Sequence, residues 1–460
     1  MERRIDKQEL RQSLRWVTLG GCLFMVFSTG TGCPLVTQYF IQLGATAQHF
    51  GLLAGIPLTA ILLQFVGALL VNRVRRRKGA FVGLFAVSRL LYLPVAMLPL
   101  FFPREGAPQA IVLVIWLVSF SACLANLASP FWFSWMADLV PRDVLNRYWG
   151  TRQRFMNLTW TVGYLAVALS AYLYTGPVER IIPALVGFAT VAGVTDILLF
   201  LRVREPDHES SRAAPLTELL LAPLRHPAYR TFVLFNSAWV ASTMMAAAFM
   251  MPYAIKEMHL PSWQATIAWC SLAIGGALTS RRWGKLADRH GQKPVILTNI
   301  VFKPLIVAVF MLITPRTAFV VLTIAFLIDG TFNAAMTVAT NGLMMKLAPR
   351  QNRSMFVAYI TGLSGVCGGL AAMLSGQYLH WMEGFAWHFA GRTWTNYHLL
   401  FAGSLVLRVV CCVYAFRLAE PDRSGSIPGA AISDIMGHWP QRVLRVPLDL
   451  YRGLSGGEHI

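Results

Sequence analysis

The chain has 460 residues, of which 56% are hydrophobic and only 13% are charged, and its formal net charge is +19. Soluble domains carry about 25% charged residues, so this composition excludes an ordinary soluble protein and makes lipid the natural solvent for the apolar side chains. The basic residues stand in short clusters between apolar runs without a nucleic-acid recognition motif, so we expect no nucleic-acid binding.

Twelve apolar runs are long enough for membrane-spanning helices, which need about 20 mostly apolar residues. Lipid cannot hydrogen-bond the backbone, so spans of this length are predicted to be helical. They lie near residues 15–38, 50–71, 80–102, 109–137, 148–174, 181–202, 230–254, 263–283, 294–314, 317–346, 354–381 and 397–418. The first run is too long for a cleaved signal sequence, and we expect it to be a retained span.

The loops alternate in charge along the chain. Those after the second, fourth, sixth, eighth and tenth spans hold clusters of Arg and Lys, whereas the loops between them hold scattered cations. Cytoplasmic loops carry the excess of positive charge. The pattern therefore predicts a multi-pass protein of the plasma (inner) membrane with both termini in the cytoplasm.

The two halves of the chain resemble each other. Arg202-Val-Arg-Glu205-Pro-Asp ends the sixth span, and Arg417-Leu-Ala-Glu420-Pro-Asp ends the twelfth, 215 residues later. Two further matches, at offsets of 208 and 217 residues, lie at the same topological places. Related six-helix halves are a transporter architecture. We predict an all-α membrane protein of twelve transmembrane helices in two pseudo-symmetric six-helix bundles, with an N-terminal bundle at 1–204, a cytoplasmic linker at 205–229, a C-terminal bundle at 230–418 and a cytoplasmic tail at 419–460.

The loop between the eighth and ninth spans carries a motif. It reads Gly284-Lys-Leu-Ala-Asp288-Arg289-His-Gly291-Gln-Lys293-Pro294. This resembles the signature loop of the major facilitator superfamily, and span count, half-repeat and loop placement extend the resemblance over the whole chain. The resemblance implies that the loop gates the cytoplasmic side. Gly284 would let a neighbouring helix approach closely, Gly291 would permit a turn with positive φ, and Asp288 would cap a helix N-terminus or pair with a cation.

The first-half copy of this loop departs from the pattern. It begins at Gly67 and contains Arg73, but it lacks both the acid and the second glycine. Asp138 instead ends the fourth span, where its repeat mate is Lys346. We predict that charges are exchanged between the halves. Asp138 would then face the arginine-rich loop with Arg73, while Lys346 or Arg350 would face Asp288.

Ionisable residues at bilayer depth are costly and usually functional. Arg89 and Lys303 lie in equivalent helices of the two halves, and Asp196 is the expected partner of Arg89. The resemblance implies that the first, fourth, seventh and tenth helices line the cavity, and Asp329 lies in the tenth. Three roles stay open for Asp329, namely carrying a coupled proton, pairing with a cationic substrate and forming a structural ion pair with Lys303.

Amide and aromatic side chains supply the candidate solute contacts. Amides offer donors and acceptors for hydroxyl groups and aromatic faces can stack on rings, which suits sugar-like solutes. Polar contact between helices is the alternative role for each amide. The candidates are Gln38, Asn126, Trp132, Asn236, Trp239 and Asn333.

The leading hypothesis is a secondary active transporter that moves a small organic solute by alternating access, driven by protons through Asp329 and Lys303. The alternatives are a passive facilitator, a drug or metabolite exporter, and a non-transporting membrane sensor. We find no nucleophile elbow, metal-ligand spacing or phosphate loop, so we expect neither an enzyme nor a cofactor. The expected partners are the solute, the proton and the bilayer, with the protein acting as a monomer.

Overall fold

A computed structural model describes residues 7–71, 74, 76–102, 107–141, 145–206, 225–348, 353–389 and 392–420. Within these residues the first half forms six membrane-length helical spans. They comprise Lys7–Thr31 with Pro34–Gln42, Ala47–Thr59 with Leu63–Val71, Arg77–Leu90 with Tyr92–Phe101, Pro108–Leu139, Leu145–Leu173 and Val178–Leu199. Most of the predicted linker, at 207–224, and the tail from 421 lie outside the described residues.

The second half supplies six more membrane-length helices. They are Pro227–Lys256, Ser262–His290, Gln292–Leu312, Ala318–Leu347, Arg353–Trp381 and Asn396–Ala415. An antiparallel hairpin that the hydropathy pattern did not predict, β1 Ala386–Phe389 and β2 Arg392–Thr395, connects the last two.

Ten of these twelve described segments are apolar enough throughout to qualify as membrane spans. The other two, the fifth and eighth spans, are each 29 residues long and carry several cations near one end. Their length is sufficient to cross a bilayer. The structure therefore agrees with an all-α membrane protein of twelve spans, although composition alone distinguishes only ten.

Proline interrupts the first three spans. The first breaks after Thr31 and restarts with Pro34 at the first helical position, the second passes through a 3-10 turn at Ala60–Leu62 after Pro57, and the third breaks at Leu91 ahead of Pro94. Proline lacks the backbone N–H that would bond four residues back. The hydropathy pattern could not reveal these breaks, because the residues around them are apolar.

Glycines allow close helix crossings at two places. A Cβ on Gly330 in the tenth span would overlap the Leu272 carbonyl oxygen, and one on Gly275 in the eighth would overlap the Leu327 carbonyl oxygen. The second and eleventh spans approach in the same way, with Gly55 against Gly369. The first crossing lies within the second half, whereas the other joins the two halves.

The two halves also meet through the fifth and eighth spans. The Cys270 thiol lies 3.9 Å from the Thr161 carbonyl oxygen, and the rings of Tyr172 and Trp263 are 5.3 Å apart. Tyr164 lies beside Trp269 in the same layer. These residues stand towards the end of the molecule opposite the basic loops. We call this end the closed end. The opposite end, which carries the basic loops, is called the basic end.

Candidate functional site

A buried charge cluster lies inside the second half, and we call it the C-half cluster. Lys303 Nζ donates to Asn333 Oδ1 at 2.6 Å and lies 3.4 Å from Asp329 Oδ1, while Asn333 Nδ2 donates to Asp329 Oδ2 at 2.8 Å. Arg408 of the twelfth span interacts electrostatically with both Lys303 and Asp329, and its guanidinium lies 6.0 Å from the Trp239 ring centre. The predicted pairing of Asp329 with Lys303 is therefore formed.

A second cluster, the N-half cluster, contains Arg89, Arg152 and Asp196. Arg89 and Asp196 are buried, and both arginines interact electrostatically with Asp196. Arg89 does not form the direct ion pair with Asp196 that the sequence suggested. Its guanidinium lies instead 4.3 Å from the ring centre of Phe27, because Gly193 of the sixth span leaves room for both side chains.

The two clusters draw on equivalent helices, the third or ninth span and the sixth or twelfth, but these helices carry different charges in the two halves. Phe24 and Trp239 are repeat mates, and a guanidinium lies over each ring, supplied by Arg89 from the third span or by Arg408 from the twelfth. In the same register Lys303 corresponds to Ser88, whose hydroxyl bonds Ser121 at 2.9 Å. Arg89 is one residue further along and is turned by about 100° around the helix, so Arg89 and Lys303 do not share a position.

The predicted amides are largely engaged with neighbouring helices. Asn126 Oδ1 accepts from Gln64 Nε2 at 2.9 Å, and Asn236 Nδ2 donates to Ser364 Oγ at 2.8 Å. Gln38 differs, since its buried Oε1 has no hydrogen-bond donor among the described residues. The structure thus gives Asn126, Asn236 and Asn333 the helix-packing contacts that were the alternative to solute binding.

The predicted aromatic contacts lie in different surroundings. Trp239 is 4% exposed and packs against Phe235 beneath Arg408. Trp132 is half-buried, and its ring centre lies 5.6 Å from that of Trp149. Arg152 lies over both tryptophans of this second pair, at 5.4 and 5.3 Å. Trp132 therefore contacts the N-half cluster through Arg152. The sequence did not predict this contact.

Two repeat-related glutamates organise the basic end. Glu420 accepts from the backbone N–H groups of Gln292 and Lys293, both at 3.0 Å, and from Lys346 Nζ at 2.8 Å. In the first half Glu205 accepts from the Lys78 backbone N–H at 3.1 Å. Each glutamate thus satisfies the free N–H groups at the start of the third or ninth span.

Ionisation of Glu420 is favoured by these contacts. Burial opposes the charge, but the hydrogen bonds from Lys346 and from the backbone of Gln292 and Lys293 outweigh it, so the pKa of Glu420 lies below its ordinary value. Two lysines that correspond in the repeat add a second contact at each helix start. Lys78 Nζ donates to the Val203 carbonyl at 2.9 Å, and Lys293 Nζ donates to the Phe416 carbonyl at 2.9 Å.

The predicted charge exchange is only partly visible. Asp138 Oδ2 lies 2.6 Å from Arg77 Nη1, so a residue of the arginine-rich segment faces it, whereas Arg73 and Arg350 lie outside the described residues. Lys346 pairs with Glu420, a residue that the sequence did not suggest. The pairing of Lys346 with Asp288 stays a prediction.

The glycines of the signature loop behave differently from each other. Gly291 has φ +95° and ends the eighth span beneath the carboxylate of Glu420, so the predicted positive φ is confirmed. Among the described residues, a Cβ on Gly284 would meet no atom within 4 Å. The expected close helix approach at Gly284 is therefore not seen in the described part of this conformation. Asp288 and Arg289 are exposed in the last turn of the same helix.

Sequence reasoning missed the roles of Arg77, Arg152, Glu205 and Glu420. A signal for the glutamates is present in the sequence, since Glu-Pro-Asp follows both the sixth and the twelfth span. Arg77 offered no such signal, because its place at the first helical position of the third span is seen only in the structure. Arg152 lies close to the cations of a basic loop, and its inward direction depends on helix rotation, which the sequence does not give.

The chain is similar to known transporters in sequence pattern and in fold. The family model of the Major Facilitator Superfamily matches residues 18–376 and 272–447. A mutant of the nucleoside transporter NupG superposes with a TM-score of 0.67 at 16% identity, covering 90% of this chain and 100% of that one.

Two further solved structures have the same fold. A bacterial homolog of the human lysosomal transporter Spinster, in an inward-facing and unoccupied conformation, gives a TM-score of 0.65 at 15% identity over 90% of this chain and 97% of its own. A D-xylose–proton symporter gives 0.64 at 12% identity over 91% and 99%. No curated protein matches the sequence. By its family match, its fold and its multi-pass helices, the chain belongs to the Major Facilitator Superfamily.

Proposed function

We propose that the protein is a secondary active transporter that moves a small organic solute by alternating access. The observation that carries this proposal is the contrast between its two ends. The halves interlock at the closed end through Thr161–Cys270 and Tyr172–Trp263, while each half is braced separately at the basic end by its own glutamate. Such halves can rock about the central glycine contact of the second and eleventh spans.

The charge of the loops supports an orientation for this cycle. With the basic end in the cytoplasm, the arrangement corresponds to a state that is closed to the outside and has cytoplasmic termini. This is consistent with a location in the plasma (inner) membrane. A passive facilitator and an exporter would use the same movement, and a sensor would use it without solute flux.

The C-half cluster is the proposed coupling unit. An ionised Asp329 compensates Lys303, which lies 3.4 Å away, and interacts with Arg408. Protonation of Asp329 would leave two buried cations without their carboxylate, which is costly inside the membrane. Proton binding is therefore expected to rearrange the contacts of Lys303 and Asn333, and through them the packing of the ninth, tenth and twelfth spans.

Replacement of Asp329 by Asn tests this coupling in proteoliposomes with an imposed pH gradient. We expect D329N to equilibrate solute without accumulating it, because the amide cannot exchange a proton. E383Q serves as the control, since Glu383 is exposed and its ion pair among the described residues is with the nearby His380. Accumulation by D329N at the level of the unsubstituted protein would rule out Asp329 as the coupling group.

A further inference from the structure

Among the described residues, the charges of the two buried clusters do not balance. The N-half cluster contains two arginines and one aspartate, and the C-half cluster contains Lys303 and Arg408 with one aspartate. Uncompensated charge is expensive at bilayer depth. Each cluster therefore has one cation in excess, which an anion could neutralise.

Arg152 is the excess cation best placed to receive such an anion. Arg89, Lys303 and Arg408 are all fully enclosed, with 7% exposure or less, whereas Arg152 is half-buried. Among the described residues no acceptor bonds its guanidinium, and its Nε is buried without a partner. Asp196 interacts with Arg152 electrostatically but is shared with Arg89.

The surroundings of Arg152 hold its side chain in one direction. Trp132 and Trp149 pack on the guanidinium, and such stacking leaves the edge of the group free for hydrogen bonds. On the first span Gly21 makes room, since a Cβ there would lie 2.8 Å from Nη2 of Arg152. Arg154, two residues further along the same helix, is exposed and has none of these contacts.

The depth of Arg152 fits a solute route. It lies seven residues from the start of the fifth span at Leu145, about 10 Å along the helix from the basic end. The first and fourth spans, which carry Gly21 and Trp132, contact the same side chain. The half-buried guanidinium therefore lies between three spans of the first half, on the side of the basic end.

We propose that Arg152, held between Trp132 and Trp149 against Gly21, binds the carboxylate of an organic anion and that this anion is the transported solute. The guanidinium fork suits a carboxylate because it can donate two parallel hydrogen bonds. This inference rests on the transport function proposed above and narrows its solute from a small organic compound to an acidic one. An acidic sugar derivative would satisfy both this proposal and the sugar-like solute that the amide and aromatic side chains predict.

Binding to the purified full-length protein, measured by isothermal titration calorimetry, tests the proposal with matched pairs of probes. Glucuronate is compared with glucose, and benzoate with benzamide, because each pair shares a ring but differs in the anionic group. We expect at least one acid to bind and its neutral partner to bind about tenfold to a hundredfold more weakly. Equal affinity within both pairs, or no binding of either acid, would overturn the proposal without any variant.

Substitutions then locate the site. R152Q should weaken binding of the acid by about tenfold or more, and R152K should fall between the two, because lysine keeps the charge but loses the fork. R154Q removes the same charge from the same helix at an exposed position, and should stay within about twofold. Unchanged binding by R152Q would assign the anion to another cation. If R152Q does not fold, R152K and the matched probes decide.

Uptake of the same acid into proteoliposomes separates this proposal from the transport function. Binding of the acid at Arg152 without flux would contradict transport and leave the anion site standing. Flux of glucose without any binding of an acid would contradict the anion site and leave the transporter standing. Flux of the acid that R152Q abolishes and R154Q keeps is the expected result.

Discussion

Glu420 shows how one side chain can hold together several helix ends at the basic end of the second half. Its two oxygens accept from two backbone N–H groups and from Lys346, and Gly291 leaves room beneath them. Removal of this carboxylate would leave the start of the ninth span without its acceptor and Lys346 without its charge partner. Glu205 plays the corresponding part in the first half through the backbone of Lys78.

We expect E420Q to lower the free energy of unfolding by about 1–3 kcal/mol, the usual contribution of hydrogen bonds to charged groups. Thermal unfolding in detergent is the measurement, with E383Q as the control because its carboxylate is 60% exposed. Equal melting temperatures for E420Q and E383Q would show that the network at Glu420 is not stabilising.

Lowering the pH should remove the stabilisation that Glu420 provides. Because the folded protein holds the pKa of Glu420 below its ordinary value of about 4.5, the stabilisation is present above that pH and is lost as the pH falls through the lower value. The melting temperature of the unsubstituted protein should therefore approach that of E420Q as the medium is acidified. A difference between the two that stays constant below pH 4.5 would contradict this account.

At the scale of elements, glycine decides which helices can touch. The eighth and tenth spans cross with backbone against backbone at Gly275 and Gly330, and Ser271 Oγ bonds the Thr323 carbonyl at 2.8 Å beside the crossing. In contrast, a Cβ on Gly284 of the signature loop would meet no atom of the described residues within 4 Å. Glycine type alone therefore does not identify a contact.

G330A should destabilise the protein by about 1–3 kcal/mol, because the added methyl overlaps a carbonyl oxygen that cannot move without shifting a helix. The matched variant G284A should leave stability unchanged or raise it slightly, as alanine favours helix over glycine by up to about 1 kcal/mol. If G284A keeps its stability but slows transport, Gly284 contacts a helix in another state of the cycle. Equal stability of G330A and the unsubstituted protein would contradict the crossing.

For the whole molecule, alternating access requires the closed end to open. Cys270 Sγ lies 3.9 Å from the backbone of Thr161 on the opposite half. We expect T161C to form a reversible cross-link with the natural Cys270 under oxidation, which should stop transport until a reductant is added. V162C is the control, because Val162 follows on the same helix and is 56% exposed. Transport at the normal rate by the cross-linked protein would contradict movement at this interface.

Much of the fold could be predicted because it depends on properties that are local in the chain. Residues 15–38 and 397–418 are recognisable as spans from their apolar content. The hairpin at Ala386–Phe389 and the break after Thr31 were not predicted, since neither interrupts the hydropathy pattern that identifies the spans. For the candidate site, Asp329 and Lys303 were found as rare charges in apolar runs, but Arg152 was not, because it lies close to a basic loop.

The sequence by itself determined the multi-pass helical class, the alternation of loop charge, the similarity of the two halves and the signature loop, because the membrane selects length, polarity and loop charge residue by residue. Only the tertiary structure decided the partners. It joined Asp138 to Arg77, Lys346 to Glu420 and Arg152 to two tryptophans. Such pairings depend on how each helix is rotated and where it breaks. Packing between distant segments sets both, and no local pattern encodes it.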